Sequence, residues 1–187
     1  MPYASRWVRL VRERGLVSIL PHALQVEASQ LVGRSQFDLA YASAEESRRL
    51  VGDLGHPIAW SVADLATIDA IRGDDVRVRE HVAESEALVA STGARLVGRK
   101  IARALGLLDL GLGRPSAAVD RLLELVLDIR PESDYLFVLG VPDVVEAAAR
   151  AQRLDEVTPL LGSLAVETVK FRSSFQSTPR RAGAEPR

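Results

Sequence analysis

Three histidines, several closely spaced acids and one glycine-rich run are the residues of this 187-residue chain that invite a chemical reading. His22, His56 and His81 fall on different segments, with no cysteine and no acid at ligand spacing, whereas a metal site needs several such groups converging in a set geometry. The run "LGLLDLGLGRP" has the glycines of a phosphate loop but not its Lys-Ser/Thr, and Ser116 stands where the third glycine of GxGxxG would fall. Its surroundings have helical periodicity, so the small residues predict close helix packing and a helix end. No GxSxG elbow presents a serine nucleophile. Glu45–Glu46, Asp74–Asp75 and Glu84–Glu86 are best read as solvated or helix-start charges that favour the dipole. No catalytic residue, metal ligand or cofactor is expected, and the sequence predicts a non-enzymatic protein.

What remains is a binding chemistry. Trp60, Asp64, Thr67, Lys100 and Arg103 set an aromatic group among mixed charges, a combination that suits anchoring a peptide or a small effector, with Trp60 as the hot spot. An alternative is that Trp60 packs between repeats and the charges are solvated. Either way, these residues share a face only if something brings positions about 40 residues apart into register.

That element is a repeat. Gly33, Gly73 and Gly113 lie 40 residues apart, each between an apolar helical pattern and a more amphipathic one, and in a fourth unit the turn position is Gln152. Such a period marks an α-helical array in which each helix pair hides its apolar side against the next. Glycine suits the turn because a helix commonly ends with a left-handed residue. Apolar columns follow the period: Gln25, Leu65, Leu105 and Val144, then Ala28, Ile68, Leu108 and Ala147. The glutamine heading the first column predicts a looser first repeat. The expected fold is all-α: a right-handed superhelical solenoid of about four pairs, at roughly 17–54, 57–92, 95–130 and 134–170, behind a leading helix near 4–13. Its concave groove would be lined by the first helix of each pair.

"DIRPESD" reads as a loop ending in a helix cap at Ser133 or Asp134, and Pro142 is expected to kink or restart the fourth unit's first helix. Pro159 is a further irregularity. The solenoid domain is assigned to residues 1–172 and a disordered tail to 173–187, where apolar periodicity gives way to Pro, Gly, Ser and Arg. Zero cysteines exclude disulfides, and 24 basic against 25 acidic residues give no global drive toward nucleic acid or anionic membrane. No apolar run approaches the ~20 residues of a membrane span. Arginines interrupt the N-terminus where a signal peptide would be apolar, so a cytoplasmic location is expected. The expected partner is a protein or small-molecule effector, with self-association through the open array ends. Nucleic-acid binding through arginines of the first helix and of the tail (Arg172, Arg180, Arg181, Arg187) is the alternative.

The strings "GLLDLGLGRPSAAVDRLLEL" and "VPDVVEAAARAQRLDEVTPLLGSLA" resemble the tetratricopeptide-like region of the large ATP-binding LuxR-type transcriptional regulators. "GRSQFDLAYASAEESRRLVGDLGHP" and "IRGDDVRVREHVAESEALVASTG" fit the same region in the same order, so the resemblance spans about residues 7–170. It implies a module lying between a P-loop ATPase and a helix-turn-helix domain, one that receives an effector or partner and holds the ATPase in check. The chain has no Walker A loop, and a tail follows Lys170 where recognition helices would come. ATP and DNA binding therefore pass to none of its residues, and the resemblance is to the middle module alone.

Overall fold

The computed structural model describes residues 3–53, 59–92, 95–128 and 135–162. Among these residues the chain is helical and without strands: α1 (Tyr3–Glu13), α2 (Leu20–Val32), α3 (Phe37–Asp53), α4 (Ala59–Arg72), α5 (Asp75–Thr92), α6 (Arg95–Gly111), α7 (Pro115–Asp128) and α8 (Tyr135–Ala151). Residues 154–162 are helical too. After the leading α1 come the pairs α2/α3, α4/α5 and α6/α7, and then α8 with the helical residues 154–162. Sequence neighbours pack on one another, and α4 also lies against α6, the first helix of the next pair. The expected solenoid of helix pairs is what forms. The expected cap at Ser133 or Asp134, His56 and the tail lie outside the described residues.

Each turn closes by the same hydrogen-bond device. At the end of α4, Gly73 N–H donates to Ala70 O and Asp74 N–H to Asp69 O; at the end of α6, Gly113 N–H donates to Leu110 O and Arg114 N–H to Asp109 O. This double closure caps the last carbonyls of a helix and needs a left-handed residue, and Gly73 and Gly113 supply it at φ +76° and +72°. Gln152 takes the same role at φ +59°, with its N–H on Ala149 O and Arg153 N–H on Ala148 O. The first repeat departs from expectation. Gly33 is right-handed at φ −62°, and Ser35, at φ +57°, is the left-handed residue. The cause is that α2 winds two residues further before the bonds Ser35 N–H to Val32 O and Gln36 N–H to Leu31 O shut it.

The core runs along the array as a chain of clusters, each shared between neighbouring pairs. Ala28, Leu31, Ala40 and Ala44 of the first pair enclose Leu65 and Ile68 of α4. On its other side α4 places Ala63, Ala66 and Ala70 against Val78 of α5 and Val97, Ile101, Ala104 and Leu108 of α6. Farther on, Leu110, Val119, Leu122 and Val126 meet Val141, Val144, Ala147, Val157 and Leu160. Burying a leucine or isoleucine this fully contributes ~1.5–3 kcal/mol, so each repeat draws part of its stability from its neighbour. The second column is buried throughout, while in the first Leu65 and Val144 are buried and Gln25 and Leu105 only partly so.

Two details of the glycine-rich and proline-containing helices follow from this packing. Gly106 admits α7 so closely that a Cβ there would stand 2.5 Å from Leu122 Cγ. The run 105–115 is thus a packing surface and a helix end, as its helical setting predicts. Pro142 neither ends nor restarts α8, which is one helix from Tyr135 to Ala151. Val141 and Val144 on either side of it are buried in the last cluster, and that burial outweighs the lost backbone bond.

Candidate functional site

The first helices carry a row of polar side chains, and the five residues singled out by the sequence lie on two of them, α4 and α6. Lys100 on α6 donates to Asp64 Oδ1 on α4, and each residue is 6% exposed. Lys100 Nζ also sits 5.2 Å from the centre of the Trp60 ring, in cation–π range. Trp60 itself is partly buried against the α4–α6 cluster. Burial pushes the Asp64 carboxyl above the usual carboxylate range, while the Lys100 charge and hydrogen bond pull it back. Asp64 Oδ2 is buried without a hydrogen-bond partner. Thr67 is buried one turn further along α4, with its hydroxyl donating to Ala63 O at 2.9 Å.

Arg103, one turn beyond Lys100, reaches the next repeat: its Nε lies 2.7 Å from Asp143 Oδ2 on α8. Burial raises the Asp143 carboxyl and Arg103 opposes it, with Glu146 adding a further upward push. In the first repeat the row continues as Glu27 of α2, which accepts from Ser43 of α3 at 3.1 Å. The structure thus gathers Trp60, Asp64 and Lys100 into one contact set, ties Arg103 to the following helix, and turns Thr67 to its own backbone. Asp143, the partner of Arg103, was not apparent from the sequence.

A second polar cluster lies between the first and second pairs. Arg77 donates to the Tyr41 hydroxyl at 2.7 Å, and the Arg72 guanidinium lies 5.1 Å from the Tyr41 ring centre. Burial, then Asp69, raises the Tyr41 phenol, with Arg77 opposing. His81 is largely buried, its Nε2 3.3 Å from Asp69 Oδ2, and the Asp69 side chain is 2% exposed. Glu84, read from the sequence as solvated, pairs with Arg48 at 3.2 Å. A His–Asp contact is half of a nucleophile-activating set, but Ser85, one turn on from His81, is fully buried and no substrate reaches its hydroxyl. Among the described residues no three His, Cys, Asp or Glu side chains are disposed to hold a metal ion.

Most of these pairs have one sequence signature. Asp64–Lys100, Arg48–Glu84 and Tyr41–Arg77 are each separated by 36 residues, and Arg103–Asp143 by 40. Opposite charges at about one repeat period are therefore the signal of an inter-repeat contact. Of the arginines of α1, Arg12 is engaged in this way, 2.5 Å from Glu46, while Arg9 lies 3.9 Å from Glu13 within α1. No helix among the described residues is long and apolar enough to cross a membrane.

No protein-family model matches this chain, and no curated protein does. Among solved structures, it is similar to two crystal structures of a putative kinesin light chain with nearly identical TPR-like repeats from Podosopora anserina, one of them a substituted variant. The variant has a TM-score of 0.47 at 17% identity, over 92% of this chain and 99% of that one. The second has a TM-score of 0.44 at 16% identity over the same shares.

Proposed function

We propose that this chain is a non-catalytic helical-repeat interaction module, in which the inner face of α2, α4, α6 and α8 receives a protein or small-molecule effector. One observation carries the reading. Successive first helices are joined by ion pairs, Asp64–Lys100 buried and Arg103–Asp143 partly buried, beside a partly buried tryptophan. Buried ion pairs are weak stabilisers, because well-packed apolar residues of similar volume commonly do as well or better. Charge kept in such a place instead suits exchange. An effector with an acidic group for Lys100 or Arg103 and an apolar group for Trp60 would replace one pairing by another. In doing so it would favour one spacing of α4, α6 and α8 through its differential affinity for the two states.

The sequence resemblance gives this module a setting, as a relative of the effector-receiving region of LuxR-type transcriptional regulators, acting by engaging another chain. Its support is the ordered set of strings from "GRSQFDLAYASAEESRRLVGDLGHP" to "VPDVVEAAARAQRLDEVTPLLGSLA".

The test is a thermal-shift screen of acidic peptides, nucleotides and sugar acids against the wild type, Trp60→Phe and Arg103→Gln. A ligand of the inner face raises the wild-type midpoint in proportion to RT ln(1 + [L]/Kd) and loses that rise in both variants. Ligands that stabilise all three proteins equally would refute the assignment.

A further inference from the structure

The outward face of α1 exposes Tyr3 and Leu10. A shift of 40 residues carries α1 onto α3, the second helix of the first pair. Ala4 and Val11 fall on Ala44 and Val51, and all four are buried. α1 is therefore a helix of the second kind, docked on α2 as α3 is docked on α4. In α3 the remaining face is covered by the first helix of its own pair: Ser43 bonds Glu27 of α2, and Leu50 packs on the cluster of Val8, Val11, Ala23 and Leu24. The residues of α1 at those two places are Tyr3 and Leu10, and they are 76% and 43% exposed. Tyr3, Arg6, Leu10 and Glu13 succeed one another at three- and four-residue steps and so share one face.

Beyond α1 the chain turns through Gly15, at φ +63°, and leaves Leu16, Val17 and Ile19 exposed as well. Their backbone N–H groups are already bonded internally, to Val11 O, Gly15 O and Leu16 O. This surface can accordingly be covered by an apolar partner without stranding a donor. Of the four arginines in residues 3–19, Arg9 and Arg12 pair with Glu13 and Glu46, which leaves Arg6 and Arg14 as exposed positive charges beside Tyr3 and Leu10.

We propose that this face is a docking site for an amphipathic helix of a partner protein, one whose apolar stripe is edged by acidic residues. The helix lies antiparallel to α1 as α2 lies to α3, with Tyr3 and Leu10 beneath its stripe and Arg6 and Arg14 beside its acids. This is the helix-in-groove mode of recognition, and the repeat register fixes the site. It is independent of the inner face.

The probe is a synthetic 18-residue helix with a leucine and alanine stripe edged by glutamates, fluorescein-labelled and titrated with the full chain by anisotropy. The same peptide edged by lysines is the comparison. Saturable binding of the acidic peptide below about 100 µM is expected, without binding of the basic one. Leu10→Glu, a surface change checked by an unaltered circular dichroism spectrum, is expected to weaken binding at least tenfold. Arg6→Glu with Arg14→Glu is expected to transfer the preference to the lysine-edged peptide. Equal binding of both peptides, binding of neither, or indifference to Leu10→Glu overturns the proposal. So does a mass that doubles with concentration in the wild type but not in Leu10→Glu, which would assign the face to a second copy. Leu10-dependent sedimentation with anionic lipid vesicles overturns it likewise.

Discussion

Replacing Lys100 by methionine removes the charge that Asp64 faces while keeping most of the side chain's volume. Both residues are 6% exposed, and the ammonium also lies 5.2 Å from the Trp60 ring centre. Breaking a buried pair by removing one partner costs ~3–5 kcal/mol, because the remaining charge is left without compensation. For a chain of this size that corresponds to a fall in the thermal midpoint of roughly 6–20 °C. The Asp64 carboxyl, already pushed upward by burial, can relieve the loss by taking a proton. The penalty in Lys100→Met is therefore expected to shrink as the pH is lowered from 7 toward 5. Replacing both partners, as Asp64→Leu with Lys100→Met, is expected to recover most of the loss, since an apolar pair of similar volume suits the site. Urea denaturation of the wild type, the single variants Lys100→Met and Asp64→Leu, and the double variant at pH 7 closes the cycle. A loss below ~1 kcal/mol in Lys100→Met, the size of a solvent-exposed pair, would refute the claim that successive first helices are joined by a buried charge.

Three further outcomes follow from particular residues. Ser35→Gly and Gln152→Gly are expected to stabilise the fold by about 0.5–1 kcal/mol each, since both residues hold a left-handed φ; Gly73→Ala is expected to cost about 1–2 kcal/mol. Gly106→Ala is expected to destabilise by about 1–3 kcal/mol because its Cβ meets Leu122 at 2.5 Å, while Gly98→Ala in the same helix, with open space around it, gains about 0.5–1 kcal/mol. Both are read from denaturation midpoints. Because burial raises the Asp64 and Asp143 carboxyls, the native state binds more protons than the unfolded chain between the raised values and the ordinary one. The wild type is then expected to gain stability relative to Asp64→Asn and Asp143→Asn as pH falls through that window, and the difference to be constant below it. A difference that shrinks on acidification would show these carboxyls to be lowered instead.

Much of the architecture was legible because the repeat period, the helical spacing and the apolar columns agree. Leu65, Ile68, Val144 and Ala147 stand in the core where their columns placed them. The first turn was legible only to within two residues. Glycine is the cheap occupant of a left-handed position but not the obligatory one, and Ser35 holds that place while Gly33 remains in the right-handed helix end. Pro142 marked an irregularity in sequence, but packing against the last cluster carried the helix through it. The polar row was legible by face and not by pairing. Lys100 and Asp64 could be assigned to neighbouring first helices, yet contact between them depends on how closely α4 and α6 approach, which side-chain volumes set. His81 was hidden for a related reason: its helix face is charged, but Asp69 of the adjoining helix draws it inward.

Each helix pair covers the next, and methyl-selective nuclear Overhauser spectroscopy reads that directly. With alanine, isoleucine, leucine and valine methyls labelled, cross-peaks are expected from Ala28 and Ala44 to Leu65 and Ile68, and from Ala66 and Ala70 to Val97 and Ala104. Cross-peaks confined within single pairs, with none between residues of successive repeats, would contradict it.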